Sequence, residues 1–260
     1  MVKKILLMLV LTLIAVGGVF AQTNFASMPK NTFTVDVGPT IVGLAFGQIG
    51  KYAEKALGDE VQGDFNTSGI GVGAQYERQL FSVLGVAARG AYMKVGYGYT
   101  DSFSEAGVTA NASVKLDLTA ISAEGHARFY PFTGRTFFLG GMGGYGSLII
   151  DTNGDIVVRD ENSGQLERES VTETIPRSYI KLGARLGWRI DFGRPGGFVF
   201  EPSLGYNYAI GLGKTFGKRL EDKIGEEISD IGEFEDVFKI IENYVFMGGP
   251  RVSLAFGWRF

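Results

Sequence analysis

From Arg177 to Phe192 the chain alternates without a slip. Ile180, Leu182, Ala184, Leu186, Trp188 and Ile190 fall on one face, and Lys181, Arg185, Arg189 and Asp191 on the other. Successive side chains of a strand point to opposite sides, so a period of two over this length describes a strand whose faces meet different environments. The next run repeats the pattern, with Phe198, Phe200, Leu204, Tyr206, Tyr208 and Ile210 opposing Glu201, Ser203 and Asn207. Similar runs occupy about 33–46, 68–79, 84–98, 114–130 and 136–150, and a last one ends at Phe260. A bulge or end effect is expected to shift the parity within 84–98 and 114–130.

Eight strands of roughly 11 to 17 residues follow, and their connections alternate in length. Leu80–Val83, Pro131–Arg135 and Gly193–Gly197 are short; Gly47–Thr67, Tyr99–Ala112, Asp151–Ile175 and Leu212–Asn243 are long. Short turns at one end and long loops at the other, around strands with an apolar outer face, describe a bacterial outer-membrane barrel. A soluble β-sandwich alternates as well, but it needs a polar exterior face on each sheet. Here the second face mixes Gly, Ala and Ser with a few charges, which suits a narrow lumen. The 39 glycines, 20 phenylalanines and 11 tyrosines fit the same picture. Tyr92, Tyr130, Trp188, Phe192, Phe198, Tyr208 and Trp258 lie near strand ends, where interfacial girdles are expected.

The final segment, Val252-x-Leu254-x-Phe256-x-Trp258-x-Phe260, resembles the C-terminal assembly signal of outer-membrane barrels. Residues 127–132 (Ala-Arg-Phe-Tyr-Pro-Phe) and the glycine-rich run 137–146 are similar to small eight-stranded barrels of the OmpA/OmpX/OmpW kind. This resemblance implies an all-β, up-and-down antiparallel transmembrane barrel. It also implies an assembly machinery that reads the C-terminal strand.

At the other end, Lys3 and Lys4 precede an apolar run from Ile5 to Phe20, followed by Ala21. This reads as a secretory signal cleaved after Ala21, leaving residues 22–260 as a single outer-membrane domain. Loss of the two lysines takes the net charge from −3 to −5. With no cysteine, disulfide scaffolds, thiolate metal sites and a cysteine nucleophile are excluded. The acidic balance argues against nucleic acid, whose phosphates call for clustered Lys and Arg.

Charge is unevenly spread. The four long connections hold 22 acids and 9 bases, a balance of −13, while the rest of the mature chain is +8. Parity directs Asp36, Glu77, Glu124, His126 and Glu201 to the lumen, together with Arg89, Arg128, Lys181, Arg185, Arg189, Arg251 and Arg259. Around a hairpin centred near Pro195, Arg189 faces Glu201. Unpaired charges are costly in a narrow interior of low dielectric, so a salt-bridged layer is expected in the lower lumen. Eight strands leave room for side chains and little else, which favours a plug over an ion pathway.

No catalytic constellation emerges. Glu124, His126 and Arg128 share one strand face and could relay protons, yet no Ser and Asp partner is placed beside the histidine. Asp151-Thr152-Asn153-Gly154-Asp155 opens like a calcium loop but has Ile156 at the sixth position and Asn162 at the twelfth. Asn153-Gly154 instead predicts a turn. Gly141-x-Gly143 is followed by no helix, so it leaves room for bulky neighbours and binds no phosphate. Leu220, Ile224, Ile228, Ile231, Phe234, Phe238 and Ile241 recur at spacings of three and four, predicting an amphipathic helix in the last loop, and Lys51–Leu57 predicts a shorter one.

The expectation is a non-enzymatic surface barrel without cofactor or metal, embedded in outer-membrane lipid, whose acidic loops engage a surface ligand or partner. The competing expectation is an OmpW-like conduit for small hydrophobic molecules, which needs an open apolar pocket above the charge layer. A lipid-modifying or proteolytic enzyme would need polar groups converging at the external rim.

Overall fold

The computed structural model describes residues 30–42, 64–105, 108–132, 136–160, 166–192, 196–214 and 248–260. The signal segment 1–21, the helix expected at 51–57 and the apolar stripe 220–241 lie outside the described residues. Nine strand segments are present: β1 (Asn31–Asp36), β2 (Asp64–Phe81), β3 (Leu84–Glu105), β4 (Val108–Phe129), β5 (Phe137–Asp160), β6 (Leu166–Trp188), β7 (Ile190–Phe192), β8 (Phe198–Leu212) and β9 (Gly249–Arg259). β7 continues β6 past Arg189, and both pair with β8. The result is eight staves, each antiparallel to its neighbours in sequence.

β1 pairs with β2 on one side and β9 on the other, so the ring closes. Asn31 and Phe260 complete the seam, exchanging backbone hydrogen bonds at 2.9 Å in both directions. Closure gives every stave a pairing partner on each side at the level of the ring, which hydrocarbon demands because it offers no hydrogen-bonding partner.

The outward faces mark the bilayer. Phe33, Val35, Val72, Ile121, Leu182, Leu186, Leu204, Val252 and Phe256 are all exposed, whereas their strand neighbours on the other face are enclosed. On β3 the outward row runs from Val86, beside Arg78, through Ala88, Gly90 and Tyr92 to Lys94. Charge then begins on adjacent strands at one level: Lys94 lies 3.2 Å from Asp117, Lys115 lies 3.3 Å from it, and Asp117 is the register partner of Asp151. Val86 to Lys94 is nine residues, the length a tilted strand needs to cross a bilayer, about 9–11.

Four staves continue well past that level. β3 to β6 are 22, 22, 24 and 23 residues long. At about 3.3 Å per residue and a tilt near 40°, such strands rise roughly 55 Å, against an apolar band of about 25 Å. β1, β8 and β9, at 6, 15 and 11 residues, stay low. Among the described residues, the β3–β6 side of the barrel is therefore taller than the β8–β9–β1 side.

This geometry corrects several expectations. Most of the segments expected as loops at Tyr99–Ala112 and Asp151–Ile175 are ladder, leaving only residues 106–107 and 161–165 between strands. Asn153 and Gly154 form no turn: Asn153 pairs with Lys115 and Thr172, and Gly154 with Val114 and Val171. Two flanking ladders outweigh a local turn preference. The first strand stops at Asp36 instead of reaching residue 46, and residues 38–42 form a helical turn. Asp36 itself ends the strand, since its carboxylate accepts a hydrogen bond from the Gly38 backbone N–H at 2.8 Å. No bulge interrupts the β3–β4 register; the one register shift in the β2–β3 ladder lies between Gln79 and Phe81. Tyr130 belongs to no outer girdle, being completely buried inside the barrel.

Candidate functional site

Inside the barrel the lumen-facing charges form two clusters stacked along the axis. In the lower one, Arg128 on β4 donates through Nη1 to Glu77 Oε2 on β2 at 2.6 Å and to Glu201 Oε2 on β8 at 3.0 Å. Arg189, at the break between β6 and β7, donates to Glu77 Oε2 at 2.7 Å and also to Glu201. Two guanidiniums and two carboxylates thus form a closed square across the lumen. Gln75 accepts from Arg128 at 2.9 Å, and the Tyr130 hydroxyl donates to Glu77 Oε1 at 2.6 Å. Aromatic faces cover the cations: Arg128 lies 4.2 Å from the Phe138 ring centroid and Arg189 5.4 Å from that of Tyr130.

The second cluster lies nearer the outer face. Arg89 on β3 donates to Asp36 Oδ2 at 2.7 Å and to Glu124 Oε2 at 3.0 Å, and Lys181 on β6 donates to Glu124. Ser122 adds a hydrogen bond to Glu124 Oε1 at 3.2 Å. Gly144, the register partner of Glu124, and Gly146, beside Tyr179, leave the space these side chains occupy. A Cβ on Gly144 would collide with the Ala123 carbonyl oxygen and the Glu124 backbone, and one on Gly146 with the Tyr179 ring.

His126 sits between the clusters, with Nε2 3.4 Å from Glu124 Oε2. Its neighbours on the same strand face go separate ways, Glu124 to the upper cluster and Arg128 to the lower. Among the described residues, neither a serine nor a second acid completes a triad with it. Arg185 and Arg251 line a cavity above the lower cluster. Arg259 is drawn away to the periplasmic rim, where Nη1 donates to Asp191 Oδ2 at 2.8 Å. Among the described residues, no group of three or more His, Asp or Glu side chains is placed to hold a metal ion.

Above the charges the lumen changes character. Met93, Val95, Leu118, Ala120, Leu148, Ile150, Ile175 and Tyr179 form one buried apolar cluster, with Val42 of the helical turn packed against it. Val95, Leu118, Ile150 and Ile175 are successive register partners around the wall, immediately beside the outward-facing Lys94, Asp117 and Asp151. Chemistry therefore inverts at this level, charged outside and apolar within. A mostly apolar groove of about 570 Å³ crosses the wall, lined by the outward-facing Phe129, Leu139, Leu186, Leu204 and Tyr206 and by Arg128, Gly140, Arg185 and Gly205 of the inward rows.

Beyond the bilayer the β5–β6 hairpin carries an exposed bidentate pair, Arg168 to Asp155 at 2.9 Å through both Nε and Nη2. Those hydrogen bonds raise the Arg168 guanidinium above its ordinary range.

Closed ring, apolar exterior and charge-filled interior together define the class: a small eight-stranded outer-membrane β-barrel. No family model and no curated protein matches the chain. Among solved structures, it is similar to the crystal structure of Ail, the attachment invasion locus protein of Yersinia pestis, at 12% identity over 90% of this chain and 99% of that one, with a TM-score of 0.36. Ail in complex with the heparin analogue sucrose octasulfate is matched at 14% identity over the same shares, with a TM-score of 0.33. CarO2 of Acinetobacter baumannii is matched at 13% identity over 90% of this chain and 100% of that one, with a TM-score of 0.38.

Tyr130 and Gln75 are members of the lumen network that sequence reasoning missed, whereas Asp191, which parity put on the face of Arg189, lies exposed at the rim. Tyr130 continues the inward parity of Glu124, His126 and Arg128, so that parity was the available signal.

Proposed function

We propose that this protein is a non-enzymatic outer-membrane barrel whose lumen is sealed and whose external extensions do the work of surface interaction. The observation that carries the reading is the double seal. The Glu77–Arg128–Glu201–Arg189 square fills the lower lumen, and the Val95–Leu118–Leu148–Ile175 cluster fills the level above it. With the interior occupied, the chemistry available to partners is that of the tall β3–β6 wall. That wall presents polar and charged side chains such as Glu167, Arg168, Glu169 and Glu173 in a rigid ladder. Ordered strands lose less conformational entropy on contact than loops would, which favours their use as a docking platform.

An OmpW-like conduit would need an open apolar pocket at the level where Val95, Leu118, Leu148 and Ile175 are buried together, and that burial favours the surface reading. The test couples two measurements. Purified barrel in planar bilayers is expected to pass no steady current. Cells carrying a β5–β6 hairpin shortened above Ile150 and Ile175 are expected to keep the protein in the membrane while losing adhesion to host-cell or matrix surfaces. Undiminished adhesion with the shortened hairpin would refute the surface role, and sustained current from the intact barrel would refute the seal.

A further inference from the structure

A partly open cavity of about 60 Å³ lies beside the upper charge cluster and reaches Met93, Ala120 and Tyr179 of the apolar cluster. Arg89, Lys181, Arg185 and Arg251 line it, with Asn207 and Ser253 adding polar groups, and no acidic side chain does. Asp36 and Glu124 already answer Arg89 and Lys181. Arg185 is different. It is 7% exposed, and among the described residues it makes neither an ion pair nor a hydrogen bond. Its register partners on both sides are Gly140 and Gly205, so neither cross-strand partner sets a side chain against it.

A guanidinium cannot shed its proton, and an uncompensated buried charge is strongly unfavourable. Rearrangement offers little relief, because the nearest carboxylates are each held by other cations. Water would solvate Arg185 without neutralising it. One water needs about 10–15 Å³ of such space, so the cavity has room for a compact anion together with a few waters.

We infer that this cavity is an anion-binding site in which Arg185, aided by the field of Arg89, Lys181 and Arg251 and by the Asn207 and Ser253 side chains, holds a small inorganic anion, a halide or a single tetrahedral oxyanion. The ion offsets part of the lumen's positive surplus. It sits between the square below and the apolar cluster above, in a partly open cavity from which it exchanges with the medium.

The experiment follows thermal unfolding of the purified, refolded barrel at constant ionic strength, with chloride or phosphate replacing gluconate. The unfolding midpoint is expected to rise along a saturable curve with one of the two anions, and which one separates a halide from an oxyanion occupant. Arg185→Gln is expected to weaken half-saturation by at least about tenfold, the loss that follows removal of a charge-assisted contact. Arg168→Gln, on the external hairpin, is expected to leave the response unchanged. Identical midpoints in all three anions, or an equal response in the Arg185→Gln protein, would overturn the assignment. Crystals soaked in bromide, and separately in selenate, provide a readout that needs no variant. An anomalous peak beside the Arg185 guanidinium in either supports the site, and its absence from both removes it.

Discussion

Glu77 and Arg128 lie 51 residues apart in the chain and 2.6 Å apart across the barrel interior. Neither is on an adjacent stave, since β3 intervenes, so their contact spans the lumen and not the wall. Through Glu201 and Arg189 the pair becomes a square in which each carboxylate serves both cations. Glu77→Ala or Glu201→Ala therefore strands the same two guanidiniums, and each is expected to cost about 3–5 kcal/mol of barrel stability. Because the stranded partners are shared, the double variant is expected to lose clearly less than the sum. A double-mutant cycle from urea refolding measures this directly; strictly additive losses would mean two independent pairs.

The second prediction concerns the bilayer level. Leu186 faces outward within the apolar band, while Thr172 lies on the same stave above the Asp117–Asp151 level. Leu186→Arg is expected to destabilise the barrel by roughly 2–4 kcal/mol in lipid vesicles. Thr172→Arg is expected to fall within about 0.5 kcal/mol of the parent. Similar losses for both in a refolding titration would place Thr172 in hydrocarbon and move the membrane boundary outward.

The stretch Arg177–Phe192 and the strands after it were legible because their two faces differ throughout, apolar toward lipid and charged or small toward the lumen. Along β3 and β4 that contrast disappears halfway. Arg89 and Glu124 give way on the same inward face to Met93, Val95, Leu118 and Ala120, so both faces turn apolar and a continuous register looks like a slip. Strand ends were illegible for another reason. Whether residues 99–105 or 151–160 are loop or ladder depends on a neighbouring strand being there to pair with, which local composition does not encode. Tyr130 shows the opposite case. Its parity pointed inward beside Arg128, and the general preference for aromatics at membrane interfaces pointed outward; the charge square decided, because the phenol satisfies Glu77.

Assembly follows from the seam. Phe260 exchanges two backbone hydrogen bonds with Asn31, joining the last residue to the first stave. Its side chain is exposed on the outward face, continuing the row of Val252, Phe256 and Trp258. Deleting Phe260 removes both the closing bonds and the terminal residue of a segment resembling the assembly signal. The amount of protein in the outer-membrane fraction is expected to fall severalfold while export to the periplasm continues, as immunoblots of the two fractions would report. Undiminished membrane levels would count against any role of this residue in assembly.

The final prediction separates the two seals. Wild-type barrel in a planar bilayer is expected to show no steady current, since charge below and apolar packing above both occlude the lumen. Leu148→Ala opens a cavity at a fully buried position in the upper cluster and is expected to cost about 2–5 kcal/mol. It leaves the square of Glu77, Arg128, Glu201 and Arg189 intact, so the variant is expected to remain closed. Glu201→Ala keeps the apolar cluster but leaves Arg128 and Arg189 with one carboxylate between them. Hydration of the surplus charge is expected to loosen the lower lumen, and with the upper seal still in place the single variant is expected to pass only brief openings. Combining both changes is expected to give sustained current, selective for anions because the remaining lumen charge is positive. Reversal-potential measurements in asymmetric potassium chloride read the sign. Cation selectivity, or full conductance from Leu148→Ala alone, would show that the charge square is not what closes the barrel.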